Sequence, residues 1–328
     1  MLQESDNEVS ISRLKYLAQM GEPSAQYQLG CIYISSPSGY QNNIEEAIKL
    51  FEKAAAHGFA PAEYSLGVAY EQGNGVSKDY KEAVRWYLKA AERGYASAQN
   101  NLGYMYEEGE GISKDWREAL KWYQKAAEQS DAYAQVNLGL MYADGHGVSQ
   151  DYEIALKWYQ KAAEQGDAYA QYNLGIMYHY GRGVKQNDQK ALEWYQKAAY
   201  QGDADAQNKL GYLFSEGQGV PINNEQAIFW YQKAAEQGEI NAQFNLGCMY
   251  ENGLGVTQNF PEAEKWYRLA AEQDDAEAQC NLGCLYTEGK GVPQNEMIAT
   301  EWFRRSAAQG DSCALNNLHK IKSQRNMD

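Results

Sequence analysis

Positive charge is in short supply in this chain. The 29 Lys+Arg stand against 44 Asp+Glu, a formal net charge of −15. Nucleic acid and anionic membrane surfaces are polyanions, so neither is expected as the main partner. Long apolar runs are missing as well. No stretch of about 18 apolar residues occurs, which excludes an expected transmembrane helix. The first ten residues, MLQESDNEVS, are polar and acidic, so no signal peptide is expected. Histidine is sparse, with four residues, and cysteine is limited to five. What is abundant is apolar and aromatic: 44% hydrophobic residues, 27 Tyr and 30 Gly, a composition that argues against global disorder. The length of 328 residues by itself suggests about two domains of roughly 150 residues each.

Internal repetition replaces that first reading. Leu-Gly recurs at Leu29-Gly30, Leu66-Gly67, Leu102-Gly103, Leu138-Gly139, Leu174-Gly175, Leu210-Gly211, Leu246-Gly247 and Leu282-Gly283, first at a 37-residue interval and then at 36. Leu318 keeps the phase, with His319 in the glycine slot. A G-x-G-[V/I] motif follows six residues after each of the later Leu-Gly glycines, from Gly73 to Gly289. A W-Y-x-K-A-A string shares the phase at Trp122, Trp158, Trp194 and Trp230.

Each unit reads as two helices. In 167–180, Ala170, Leu174, Met177 and Tyr178 recur at helical spacing. Asp167 is placed to cap the start, and the glycine loop stops the helix, with its glycines suited to φ > 0. The second helix begins near residue 187. In other repeats it opens on Asp79-x-x-Glu82 or Asp115-x-x-Glu118, the pattern of a capping box, and it ends at a glycine such as Gly94 or Gly166. Ala83, Trp86, Tyr87, Ala90 and Ala91 lie on one face at i, i+3, i+4, i+7, i+8. Short loops make the two helices antiparallel neighbours. No hairpin buries its aromatic face alone, so the array is expected to be one cooperative unit rather than two domains. The seven slot-matched Trp are expected to hold the stack, each burial contributing about 2–3 kcal/mol.

The pattern AxxxLGxxYxxGxGVxxDxxxAxxWYxKAAxxG resembles the Sel1-like repeat family, the 36-residue relative of tetratricopeptide repeats. The resemblance covers about 22–310. It implies an all-α fold: a right-handed superhelical α-solenoid of antiparallel helix pairs, about eighteen helices in all. The expected organisation is a flexible N-terminus (1–10), a half-repeat cap (11–21), eight repeats (22–310) and a C-terminal capping helix and tail (311–328). Both ends are atypical. The first repeat has Ser35-Ser36-Pro37-Ser38-Gly39-Tyr40 in place of the glycine loop, and the eighth has Trp302-Phe303-Arg304-Arg305-Ser306.

No catalytic constellation is evident. His57, His146, His179 and His319 occupy different slots of different repeats, and they read as surface residues. No zinc-protease, nucleophile-elbow, P-loop or dinucleotide fingerprint occurs. Cys280 and Cys284 share a helix face but lack the remaining ligands of a zinc site, and Cys313 stands alone, so free thiols are expected. Cysteine-rich members of the family carry a disulfide in each repeat, and that pattern is absent here. No cofactor, no metal and no enzymatic activity are expected.

By the resemblance, first helices line a concave face. The slots three before and one after the Leu-Gly glycine vary while the core slots stay fixed. Tyr104, Tyr133, Val136, Leu140, Tyr169, Tyr172, Ile176, Tyr212 and Phe244 make the middle of the array the most apolar stretch, with Glu108, Asp144 and Glu216 as acids nearby. Such a face suits a protein or peptide with apolar anchors and basic flanks. The alternative is that these residues pack against neighbouring helices while the acids solvate the surface; both readings stand at this stage. The expected function is a non-catalytic interaction scaffold. One alternative is an immunity protein neutralising a toxin, and a second is a hydrolase of the cysteine-rich type. The resemblance points to a bacterium; with no signal peptide expected, a cytoplasmic location is the default, with secretion by a signal-independent route left open. Oligomeric state is not legible.

Overall fold

The computed structural model describes residues 2–35 and 43–325. Every regular element among them is a helix, eighteen in all. The chain divides into two compact units at residue 165. The first holds α1 (Leu2–Gln19), α2 (Pro23–Ser35), α3 (Ile44–Ala56), α4 (Ala60–Gln72), α5 (Tyr80–Glu92), α6 (Ala96–Glu108), α7 (Trp116–Glu128), α8 (Ala132–Asp144) and α9 (Tyr152–Glu164). The second holds α10 (Ala168–Tyr180), α11 (Asp188–Tyr200), α12 (Ala204–Glu216), α13 (Asn224–Glu236), α14 (Ile240–Asn252), α15 (Phe260–Glu272), α16 (Ala276–Glu288), α17 (Glu296–Ala308) and α18 (Ser312–Arg325). From α2 onward the even-numbered helices are the first of each pair and the odd-numbered the second. Helix α1 begins at Leu2, so its backbone is helical over residues 2–10, where a flexible N-terminus is expected from composition. The altered loop of the first repeat lies, from residue 36 on, outside the described residues.

The caps follow from local chemistry. Asp167 accepts from the Ala170 N–H at 2.7 Å, as its position suggests. Asp79 accepts from the Lys81 and Glu82 N–H groups. The reciprocal half of a capping box is replaced. The Asp79 N–H donates to the Tyr70 carbonyl at 2.9 Å, and Glu82 pairs instead with Arg85. The same exchange occurs at Asp115, whose N–H donates to the Tyr106 carbonyl at 2.8 Å. These bonds fasten the glycine loop back onto the first helix of its own pair. Within that loop Gly111 has φ 70°, and a Cβ there would collide with the Tyr80 backbone of the preceding pair. The second glycine of G-x-G thus serves close packing between repeats as well as the turn.

Packing corrects, for four of the seven slot-matched tryptophans, the expectation that they are the buried centre of the stack. The fully buried rings are Tyr87, Tyr123, Tyr159, Tyr195 and Tyr267, with Phe51 and Phe303 in the same slot at either end. The neighbouring Trp86, Trp122, Trp158 and Trp194 are only partly buried, whereas Trp230, Trp266 and Trp302 in the same slot are buried as expected. Trp122 still packs onto the core formed by α5 and α6, and so bridges adjacent repeats. Its outer face is covered by Lys125, whose Nζ lies 3.9 Å from the ring centroid. Lysines sit likewise over Trp86, Trp158 and Trp194. In these four repeats the lysine is a cation–π lid that lets the tryptophan remain partly in water, whereas Lys233 sits over Phe229 beside the buried Trp230. Tyrosine fills the centre because the Leu-Gly glycine opposite leaves room for a flat ring: a Cβ on Gly103 would stand 2.7 Å from the Tyr123 ring.

Candidate functional site

First-helix residues face either the core or solvent, and the sequence candidates separate accordingly. In the first unit Tyr104 is 44% exposed and Tyr133 71% exposed, and Leu140 is partly buried. Val136 is 7% exposed and offers no surface, a correction to its place among the candidates. The slot three before the glycine is a packing slot. Tyr64 illustrates it, with its ring 5.8 Å from that of buried Tyr87. In the second unit Tyr169 and Tyr212 are exposed, while Tyr172, Ile176 and Phe244 are partly buried. Tyr172 lies 5.9 Å from Tyr195, and Phe244 lies 5.9 Å from Tyr267. These two rings do what Val136 does, at larger size.

The acids divide in the same way. Glu107 and Glu251, although near the face, accept hydrogen bonds of 2.6 Å from the hydroxyls of Tyr123 and Tyr267. Glu71 does the same for Tyr87. Glu108, Asp144 and Glu216 are exposed, and each is the last residue of its helix. Burial and then Glu110, Glu108, Glu71 and Glu107 raise the pKa of the Tyr104 hydroxyl. Burial and then Asp205 and Asp203 raise that of Tyr172. Both rings thus sit in negative potential, each within its own unit.

A line of glutamines escaped the sequence reading. Gln99 is buried; its Nε2 donates to the Ala91 carbonyl and its Oε1 accepts from Gln129. The side-chain pair recurs at Gln135–Gln165, Gln171–Gln201, Gln207–Gln237, Gln243–Gln273 and Gln279–Gln309, each spanning thirty residues. In α4 Glu63 stands in this slot and Arg93 is its partner. The legible signal is the Ala-Gln that precedes every Leu-Gly except Leu66-Gly67, where Ala62-Glu63 stands. The buried glutamine amide adds a side-chain bond to a carbonyl at the end of the preceding repeat's second helix, where one repeat meets the next.

The histidines form no cluster. His146 stacks on Trp116 with centroids 4.3 Å apart, and His179 Nδ1 lies 3.0 Å from Asp188. Among the described residues no helix is long and apolar enough to cross a membrane.

The Sel1 repeat matches this chain eight times, at residues 23–59, 60–95, 96–131, 132–167, 168–203, 204–239, 240–275 and 276–311. Among solved structures, one similar chain is a protective antigen of uropathogenic Escherichia coli strains that displays an SLR fold. It is 41% identical with a TM-score of 0.87, over 96% of this chain and 67% of that one. A Sel1 repeat protein from Oxalobacter formigenes is 34% identical with a TM-score of 0.72, over 94% of this chain and 89% of that one. No curated protein matches the chain. Eight contiguous matches and these likenesses carry one conclusion: the chain belongs to the Sel1 repeat family.

Proposed function

We propose that this chain is a non-catalytic scaffold that captures a protein or peptide partner through exposed aromatic residues of its first helices. Sel1 repeat proteins mediate protein–protein interaction, and the finer reading rests on one observation. Tyr104 is 44% exposed on a first helix, and Glu110, Glu108, Glu71 and Glu107 act electrostatically on its hydroxyl. An amphipathic ring in negative potential suits an apolar anchor flanked by Lys or Arg. The exposed acids support the same reading. Glu108, Asp144 and Glu216 end their helices, where the helix dipole disfavours a carboxylate by about 0.3–1 kcal/mol each. Folding gains nothing from that arrangement, whereas a basic partner does.

A displayed peptide library selected on the purified chain tests this. Selected peptides should carry apolar residues beside Lys or Arg, and their binding should weaken as salt rises. Tyr104→Ala and Glu108→Gln, both in the first unit, should each lower the affinity of peptides selected on the chain with helical content unchanged. Peptides that bind both variants as tightly as the parent chain would sink the assignment.

A further inference from the structure

Three of the five cysteines converge in the second unit. Cys280 and Cys284 lie one turn apart on α16, and α18 brings Cys313 against them. The three Sγ atoms lie within 4.8 Å of one another, and those of Cys280 and Cys313 are 2.8 Å apart. Sequence spacing leaves Cys313 alone. The stacking of the capping helix on the last first-helix makes it a neighbour.

We propose that Cys280, Cys284 and Cys313 form a binding site for a thiophilic divalent d10 cation, zinc above all, with water as the fourth ligand. Three thiolates in a tetrahedral zinc site hold their sulfurs about 3.8 Å apart at Zn–S bonds of about 2.3 Å, so the present spacing needs only small side-chain rotations. The burial is graded: Cys280 is buried, Cys284 partly buried and Cys313 exposed. That gradient anchors the ion on the protein side and leaves an open side for water. Asn317, one turn beyond Cys313, places its Nδ2 3.7 Å from the Cys284 Sγ and 3.6 Å from the Cys313 Sγ. Amide N–H groups on sulfur stabilise thiolates and orient them. A redox pair needs two sulfurs, and neither the third sulfur nor the amide has a part in it. Glu251 and Glu288 act electrostatically on Cys284, and their negative field favours a dication over a monovalent ion.

Binding exchanges three thiol protons for one Zn2+ and leaves an aquo complex of net charge −1, with no change of oxidation state. The ion would join α18 to α16 at the end of the chain, where Leu315 of the capping helix is exposed. The last repeat would thereby gain a metal clip in addition to its apolar contacts.

The test uses the full chain, fully reduced, titrated with zinc against a chromophoric chelator. The parent chain should bind one equivalent tightly. Cys313→Ser should weaken binding by about 100-fold or more, since loss of an outer partner alone costs about 10–100-fold. Cys31→Ser, a thiol of the first unit, should leave binding unchanged. Cobalt should give thiolate-to-metal charge-transfer bands that Cys313→Ser diminishes. Zinc should raise the melting temperature of the parent chain and not that of Cys313→Ser, whose exposed position makes misfolding of that variant a minor concern. Zinc uptake equal in the parent chain and Cys313→Ser overturns the proposal. So does the absence of zinc uptake by the fully reduced chain.

Discussion

Gln129 donates a 2.7 Å hydrogen bond from its Nε2 to the Oε1 of Gln99, which in turn donates to the Ala91 carbonyl at 3.0 Å. One buried amide therefore ties the second helix of its own repeat to the second helix of the repeat before. Gln99→Ala removes both bonds, while the Ala91 carbonyl keeps the Gly94 N–H at 3.0 Å. The expected loss is about 2 kcal/mol in denaturant unfolding. Gln129→Ala, at the solvent end of the pair, should cost less.

Glu63 and Arg93 replace that pair by charge. Glu63 is buried, and Arg93 Nε lies 3.0 Å from its carboxylate with half of the Arg93 side chain in solvent. Arg93→Gln leaves a buried carboxylate without its cation. It should destabilise by about 2 kcal/mol, below the range for a fully buried pair because Arg93 is half exposed. The double variant Glu63→Gln/Arg93→Gln recreates the neighbouring pattern and should return most of that loss. An additive double variant would show that the two positions do not interact.

Gly103→Ala sets two effects against each other. Alanine is favoured over glycine inside a helix by about 1 kcal/mol, but the new methyl would stand 2.7 Å from the Tyr123 ring. A buried ring held on both sides cannot yield cheaply, and overpacking costs about 1–3 kcal/mol. Net destabilisation is expected. In a Tyr123→Leu background the same substitution should lose most of its cost, which thermal unfolding of the four proteins would measure.

Two buried tyrosines of one slot should respond oppositely to loss of the hydroxyl. Tyr123 donates to Glu107, whereas the Tyr195 hydroxyl is buried with no partner because His179, in the corresponding slot, pairs with Asp188. Tyr123→Phe should lower stability by about 1 kcal/mol. Tyr195→Phe should leave it unchanged or raise it by a similar amount. Loss of stability in Tyr195→Phe would reveal a partner for that hydroxyl.

Alkaline pH should unfold the chain over a defined window. Burial pushes the Tyr231 hydroxyl up to about 12 from an ordinary value of 10, and it raises Tyr87, Tyr123, Tyr195 and Tyr267 further. A raised folded pKa means that the neutral form is favoured on folding. Its contribution is complete below the unfolded value and is lost as pH rises through the folded one. Absorbance of tyrosinate should therefore show the buried tyrosines ionising only with the collapse of helical circular dichroism, above pH 10. A single early titration with intact helices would contradict the buried assignments.

Spacing along the chain sets the phase of the repeats. Leu-Gly, G-x-G and W-Y-x-K-A-A repeat because backbone turns, helix faces and close ring-on-glycine contacts impose the same residue at the same distance, and such local rules are readable from spacing. Spacing along one helix does not say which of two apolar slots turns inward once a neighbour arrives. Val136 and Tyr104 look alike as candidates, and only packing buries the first and leaves the second in solvent. Trp122 and Tyr123 are adjacent, and only the space left by Gly103 decides that the tyrosine is central and the tryptophan waits under Lys125. The glutamine pairs span thirty residues, and Cys313 meets Cys280 across thirty-three. Those meetings are fixed by how one repeat stacks on the next, so only the tertiary structure could bring these polar groups and sulfurs together.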